Sequence, residues 1–178
     1  HVDSSAASDV YKRQVFARNR SARKALGDQL RVHSILRRYL ALTNGCPDAG
    51  TIESDLVQNR GDGLRGSWRG SSRPPKEARH AITHVRVEER FADSALVSCE
   101  LETGRQHQIR IHLSEAGHPL VGESVYVRGY RGRRTEAARP MLHAATLGFR
   151  HPSRGSTIRF DSPLAADFEE LLARLRAG

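Results

Sequence analysis

The sequence predicts an α+β domain with a mixed, largely antiparallel sheet and flanking helices. Three observations support this prediction. Residues 83–101 alternate between apolar and polar positions in two runs, which is typical of a β-hairpin. Residues 109–117 can form one turn-bounded helix, and residues 168–175 carry the apolar stripe of another. The length of 178 residues is enough for one ordinary domain.

The first predicted elements are a short apolar strand end at 15–17 and a helix that follows it. Ser21 is the expected N-cap of this helix. Its apolar residues recur at helical spacing, and they are Ala22, Leu26 and Leu30.

The next segments predict a strand, a turn and a long loop. Residues 36–42 alternate loosely, which indicates a strand, and the Asn-Gly-Cys-Pro sequence at 44–47 indicates a turn. Residues 57–80 are rich in Gly, Ser, Arg and Pro, a composition that predicts an irregular loop.

The hairpin and the segment after it form the centre of the chain. Ala92-Asp93 separates the two alternating runs and is the expected turn. In the following segment Ile109, Ile111 and Leu113 fit either a strand or a helix. Gly117 favours the helix, because glycine is the usual left-handed residue after a helix end. A short strand at 157–160 is expected before the last helix.

The charge of the chain favours a polyanionic partner. The sequence contains 29 Lys and Arg against 20 Asp and Glu, giving a net charge of +9, and nearly all the basic residues are arginines. The guanidinium fork suits phosphate recognition, so nucleic acid is the simplest partner, although an Arg-rich proteome explains the charge equally well. Two cysteines are too few for a disulfide framework, which predicts a reducing, cytoplasmic compartment. The sequence shows neither a membrane-length apolar run nor a leader pattern.

The first fourteen residues have no apolar period and are predicted to be a non-native, disordered tail. Residues 4–14 resemble the in-frame translation of a transposase sequencing adapter over eleven consecutive positions, and residues 1–3 would be index sequence. The alternative is a disordered native tail. Under either interpretation, the folded domain is expected to begin at residue 15.

The segment 101–113 combines two arginines, two histidines and two glutamines after a Thr-Gly turn. A helix beginning here would place amide donors beside Arg105, an arrangement that binds anions, although a solvated polar helix start has the same composition. A metal site is disfavoured, because His107, His112 and His118 miss the four-residue spacing of two ligands on one helix face.

Several separated motifs, in register from residue 15 to the end, resemble the RluA-like pseudouridine synthases. These motifs are RYLAL at 38–42, GRxHQIRxH at 104–112, GHPLVGExxY at 117–126, LHAAxLxFxHP at 142–152 and FxSPL at 160–164. The resemblance implies a pseudouridine synthase catalytic domain over 15–178 that lacks its N-terminal part. It also implies isomerisation of uridine in RNA without a metal, redox or other small-molecule cofactor, and no membrane partner.

The resemblance also implies roles for individual residues. Tyr39 would stack on the extruded base and move a proton, and Arg110 would pair with the catalytic aspartate. The other expected RNA-binding residues would shape the pocket or contact phosphates, and they are Arg38, Arg105, His107 and Gln108. Ribosomal RNA is the favoured substrate, with transfer RNA as the second possibility.

The sequence departs from the family pattern at the nucleophile. The family carries its aspartate in a His-Arg-Leu-Asp-x-x-Thr-Ser-Gly segment, and the register places Ala7 at that position. Asp3 and Asp9 are out of register and are not assigned to catalysis. We therefore expect the chain as given to be inactive, with Arg110 left as an uncompensated positive charge. Glu123 stands where the family more often has Asp, in a structural turn. The alternative function is an RNA-binding module of the same fold without chemistry.

Overall fold

A computed structural model describes residues 14–178. In this range the chain forms three helices and seven strands, which in order are α1 (Arg20–Arg31), β1 (Leu36–Asn44), β2 (Gly50–Val57), β3 (Gly66–Ser67), β4 (Arg79–Arg90), β5 (Ser94–Leu101), α2 (Gln108–Glu115), β6 (Leu142–Arg150), β7 (Thr157–Asp161) and α3 (Ala166–Ala177). The strand pairs β2–β3, β2–β4, β4–β5 and β6–β7 are antiparallel. The predicted α+β class with a largely antiparallel sheet is confirmed.

The chain divides into two compact units, and the first contains the described residues up to Leu40 together with Leu142–Gly178. Its strand order is β1-β6-β7. The apolar face of α1 buries Leu26 in a cluster with Ile35 and Phe149. The last helix, α3, buries three residues of its predicted apolar stripe, Phe168, Leu171 and Leu172, whereas the fourth, Leu175, is partly buried.

The second unit, Ala41–Met141, contains the strand order β3-β2-β4-β5-β1. The predicted hairpin is confirmed as β4 and β5, closed by a hydrogen bond from Phe91 N to Ser94 O of 2.9 Å. Helix α2 packs on β4, and Ile111 from its buried side joins a core cluster with Leu56 and Ala81.

Residues 108–115 form helix α2, so the strand alternative for Ile109, Ile111 and Leu113 is wrong. Gly117 has φ +86°. His118 N donates to Leu113 O over 2.8 Å, and Gly117 N donates to Ser114 O over 3.0 Å. This pair of bonds is the Schellman arrangement that ends a helix at a left-handed residue.

Several local predictions need correction. Residues 15–17 form no strand, and Phe16 is 80% exposed, because no neighbouring strand pairs with this segment within residues 14–178. The N-cap of α1 is Asn19, whose Oδ1 accepts from Ala22 N over 2.8 Å, and not Ser21. The strands β2 and β6 were not predicted, and the long loop contains the two-residue strand β3.

Two further points concern the chain as a whole. Among residues 14–178, no helix combines the length and apolar character that crossing a membrane requires. The predicted disorder of the N-terminal tail falls on residues 1–13, which lie outside the described residues, and on Gln14, which is exposed and in no regular element.

Candidate RNA-binding and catalytic site

The connection between β5 and α2 is fixed to β4 by two buried polar side chains. Thr103 Oγ1 accepts from Ile82 N over 2.9 Å and donates to Gln108 Oε1 over 2.8 Å. Gln108 Nε2 donates to Ile82 O over 2.8 Å and to Thr83 Oγ1 over 3.0 Å. Because all these partners are protein groups, the network holds the start of α2 rigidly against the sheet.

Gln108 is therefore not placed to contact phosphates. Gln108 is only 2% exposed, and its Oε1 also accepts a hydrogen bond from Arg105 N over 3.0 Å. This corrects the prediction that Gln108 contacts RNA phosphates directly, while its predicted part in shaping the pocket is compatible with this position. The physical reason is that a buried amide needs all its hydrogen-bond partners, and the β4 backbone supplies them.

Arg105 lies at the surface of the same connection. Its Nε donates to His80 O over 2.8 Å, which anchors the base of an exposed side chain. An arginine held in this way keeps a positive group in solvent at the start of α2. That position suits an anion, as the sequence predicts.

His107 is the N-cap of α2 and has a left-handed backbone, with φ +59° and ψ +19°. Its Nδ1 lies 2.8 Å from Tyr126 Oη, and the two rings meet edge to face with centroids 5.7 Å apart. A left-handed conformation in a residue with a side chain is strained, so the contact with Tyr126 helps to hold it.

Arg110 forms a bidentate ion pair with Glu123. Arg110 Nε donates to Glu123 Oε2 and Nη2 donates to Oε1, both over 2.7 Å. Glu123 is 1% exposed, and its Oε1 also accepts from Val125 N over 2.9 Å. Burial alone would raise the pKa of this carboxyl, but the hydrogen bonds from Arg110 and from backbone amides lower it below its usual value. Glu123 therefore stays ionised as the partner of the arginine.

This pair corrects the expectation that Arg110 is an uncompensated charge. Glu123 engages two of the five N–H donors of a guanidinium, and it fixes the plane of the group. The departure from Asp to Glu at this position lengthens the side chain by one methylene, and the longer carboxylate reaches both nitrogens.

Tyr126 is a site residue to which the sequence analysis assigned no role. The Arg110 guanidinium lies 5.1 Å from the centroid of its ring, within cation–π range. Burial raises the pKa of the Tyr126 phenol, so the hydroxyl stays protonated beside His107. The sequence contains a signal for this residue, because Tyr126 ends the GHPLVGExxY motif. The spacing of the motif does not indicate, however, that Tyr126 contacts His107 and Arg110.

His112 is a buried structural histidine. Its Nδ1 lies 2.9 Å from Thr83 Oγ1, and its Nε2 lies 3.0 Å from Ser54 Oγ. Burial lowers the pKa of His112 to about 4, so the ring is neutral at physiological pH. Both ring nitrogens are thus occupied by hydroxyl groups, and residues 14–178 contain no cluster of three metal-ligating side chains.

Tyr39 and Arg38 lie on β1 in the first unit, whereas the other predicted site residues lie in the second. Tyr39 is half-buried, and burial raises the pKa of its phenol. Arg38 is near Asp161, whose pKa is lowered by hydrogen bonds from Arg159 and Thr146 and also by the Arg38 charge. The convergence of Tyr39 with Arg105 and Arg110 in one cleft stays a prediction.

The family model and relatives that match this chain carry the names of RNA pseudouridine synthases. A family model described as RNA pseudouridylate synthase matches residues 14–115. The uncharacterized RNA pseudouridine synthase YlyB of Bacillus subtilis is 38% identical over 162 residues, which are 90% of this chain and 50% of that protein. Ribosomal large subunit pseudouridine synthase D of Neisseria meningitidis serogroup A is 36% identical over 171 residues, covering 91% of this chain and 44% of that protein. The chain thus spans about half the length of these curated relatives.

Solved structures show the same fold. Human RNA pseudouridylate synthase domain containing 4 superposes with a TM-score of 0.70 at 22% identity, covering 89% of this chain and 69% of the human chain. Human RNA pseudouridylate synthase domain containing 1 gives a TM-score of 0.64 at 26% identity, covering 91% of this chain and 74% of the human chain. The family model that matches more than half of the chain shows that the chain belongs to the RNA pseudouridylate synthase family.

Proposed function

We propose that this chain is part of an RNA pseudouridine synthase, and that its own residues bind RNA and hold the reaction site in shape. The observation that carries the proposal is the arrangement around α2. A rigidly anchored helix start presents Arg105 to solvent and orients Arg110 in a buried bidentate pair. This arrangement lies within the motif that resembles the family signature.

In the proposed reaction, an aspartate attacks the target nucleotide, the N1–C1′ bond breaks, the base rotates and C5 bonds to C1′. The target uridine must first leave its stack, at a cost of a few kcal/mol. Tyr39 would stack on the extruded base, and Arg110 would orient the aspartate and keep it ionised. Glu123 supports that role by fixing the guanidinium plane, while Arg38, Arg105 and His107 would shape the pocket or meet phosphates.

Ribosomal RNA is the proposed substrate, ahead of transfer RNA. Several relatives carry names of the ribosomal large subunit pseudouridine synthase D type, and their identities with this chain lie between 34% and 38%. The net charge of +9 is in keeping with any structured RNA.

We also propose that the chain as given does not isomerise uridine. No His-Arg-Leu-Asp segment occurs in its 178 residues, and the register places Ala7 where the family nucleophile stands. Electrostatic stabilisation does not replace a covalent nucleophile when a stable glycosidic bond must break. An RNA-binding module without chemistry is the second candidate function, and this missing motif is the observation that favours it.

The RNA-binding part of the proposal can be tested at Tyr39. A labelled ribosomal RNA hairpin with an unpaired uridine should bind this chain, and its affinity should fall with salt by a slope of roughly −0.7 for each phosphate contact. Tyr39→Leu should weaken binding by roughly 1–3 kcal/mol, because it removes a base-stacking ring. Tyr39→Phe is the matched control and should bind like the wild type.

Two outcomes would contradict this part of the proposal. RNA binding that does not respond to salt would contradict the proposed phosphate contacts, and no binding at low salt would remove RNA as the partner. Equal affinity of the Leu and Phe variants would remove Tyr39 from the base-stacking position.

A further inference from the structure

An open cleft of about 640 Å³ lies in the second unit, where the connection between β2 and β4 meets the connection between α2 and β6. We call it the basic cleft. Its charged lining residues are Arg60, Arg69, Arg128, Arg131, Asp62 and Glu115. None of them belongs to the motifs that the sequence analysis connected with RNA.

The two connections that form the basic cleft carry most of the net positive charge of the protein. Residues 58–78 contain four arginines and a lysine against two acids, and residues 116–141 contain five arginines against two acids. Together they contribute six of the nine net positive charges. Most of the net charge that indicates a polyanion therefore lies on these two connections, and four of their nine arginines line the cleft.

Two of the four arginines build the frame of the cleft. Arg60 pairs with Asp62 over 3.0 Å and with Glu115 over 2.9 Å. Arg128 Nη1 donates to Asp62 O over 3.2 Å and so joins one connection to the other. Arg60 thus engages both carboxylates, and four arginines against two acids leave the cleft with a net positive charge of two. The other two arginines form none of these contacts, although the charge of one of them, Arg69, lowers the pKa of Glu115.

Arg69 and Arg131 are those two residues. Both are exposed, and within residues 14–178 neither guanidinium donates a hydrogen bond to a protein group. The walls beside them contain Gly61, Gly117 and Gly129, where an added Cβ would meet no atom within 4 Å. The cleft is thus open enough for the backbone of a ligand to approach closely.

The lining favours a phosphate backbone over an acidic protein segment. A protein partner normally needs an apolar core to its interface. Tyr130 is the one residue with a large side chain of partly apolar character that lines the basic cleft in the described part of the chain. Exposed guanidinium groups on an open, glycine-lined wall match the planar, bidentate recognition of phosphate.

We propose that the basic cleft binds the sugar-phosphate backbone of the substrate RNA through Arg69 and Arg131. The inference rests on the proposed function, because α2 connects the cleft to Arg110. Glu115 follows Arg110 by five residues, which is roughly 7.5 Å along a helix axis. This distance corresponds to about two nucleotide steps at 3.4 Å each along one strand. If the target uridine lies at Arg110, the phosphates in the cleft would therefore belong to nucleotides within a few positions of it.

The test uses the full chain and a labelled ribosomal RNA hairpin, with affinity measured between low and high salt. The double variant Arg69→Gln/Arg131→Gln removes two phosphate contacts. Its slope of log affinity against log salt should be shallower by roughly 1.4, and its affinity near 0.1 M salt should be roughly 20-fold lower. The matched control is Arg86→Gln/Arg174→Gln, which removes the same charge from two other exposed arginines and should change the slope little.

The outcomes separate this inference from the proposed function. If the wild type binds RNA and the double variant has the same slope as the control, the cleft proposal fails while the proposed function stands. If the wild type does not bind RNA at low salt, both fail. If the double variant loses binding to polyglutamate but keeps its RNA slope, the cleft is a site for acidic protein segments and the proposal is overturned.

Discussion

At the scale of single residues, the Arg110–Glu123 pair is a buried, bidentate ion pair of the second unit. Glu123 is fully shielded from solvent and Arg110 nearly so. Removing one partner of a buried pair leaves the other charge uncompensated, which costs about 3–5 kcal/mol. Removal of Glu123 would also release the Arg110 guanidinium that we propose orients the nucleophile.

We predict that Arg110→Ala lowers the free energy of unfolding by about 3 kcal/mol or more. Urea denaturation measures the change. The control is Arg133→Gln, which breaks the exposed pair of Arg133 with Asp93 and should cost less than about 1 kcal/mol. Equal effects of the two variants would mean that the buried pair contributes no more than a surface pair.

His112 gives a prediction about pH. Its pKa is lowered to about 4, so the unfolded chain binds more protons than the folded chain between pH 6.5 and 4. Stability should therefore fall as the pH falls through this window, by about 2 kcal/mol between pH 7 and pH 5. Carboxylates with lowered pKa values, such as Glu123, lose their stabilising contribution as the pH falls through their unfolded value of 4.5, so they contribute little between pH 7 and pH 5.

The variant His112→Gln tests that assignment, because it removes the titrating ring from the hydrogen bonds to Thr83 and Ser54. Its absolute stability is expected to drop, so the informative quantity is the difference in unfolding free energy between pH 7 and pH 5. That difference should be smaller in the variant by about 2 kcal/mol. An unchanged difference would assign the acid sensitivity to other groups.

At the scale of the helices, we predict that alanine substitutions at two glycines change the stability in opposite directions, one at the left-handed end of α2 and the other inside α1. Gly117 has φ +86° and open space around it, so Gly117→Ala should cost about 1 kcal/mol through backbone strain alone. Gly27 lies inside α1 with no atom within 4 Å of an added Cβ, so Gly27→Ala should stabilise the protein by about 0.5–1 kcal/mol. Thermal unfolding distinguishes the two signs, and destabilisation by both would contradict this reading of the backbone.

The elements that the sequence predicted well are those with local signals. The hairpin of β4 and β5 follows from alternation around Ala92-Asp93, and the end of α2 follows from Gly117. By contrast, β2 pairs with β4 through residues that lie far apart in the chain, and its polar sequence does not alternate clearly. The N-cap of α1 shifted from Ser21 to Asn19 because either residue type can cap, and only the backbone conformation decides between them.

The candidate site was predicted in part for similar reasons. The motif resemblance located the α2 region and the exposed Arg105, but it could not separate phosphate-binding side chains from structural ones. Gln108 is buried because its amide matches donors and acceptors on β4, a contact between residues 26 positions apart. Glu123 and Tyr126 became partners of Arg110 and His107 through the turn after α2, which sequence spacing alone does not reveal.

For the whole molecule, the central claim is that this fold serves uridine isomerisation in RNA and that the chain as given lacks the nucleophile. The most direct measurement is pseudouridine formation on ribosomal RNA transcripts by two proteins. One is the chain as given. The other has residues 1–14 replaced by a strand and a His-Arg-Leu-Asp-x-x-Thr-Ser-Gly segment in the family register, and its control carries asparagine in place of the inserted aspartate.

We predict that the chain with the replaced segment forms pseudouridine, whereas the chain as given and the asparagine control do not, although all three bind RNA. Activity in the chain as given would contradict the register argument and would mean that Asp3 or Asp9 serves as the nucleophile. Inactivity of a well-folded, RNA-binding replacement chain would contradict the claim of catalysis and leave the RNA-binding module as the function.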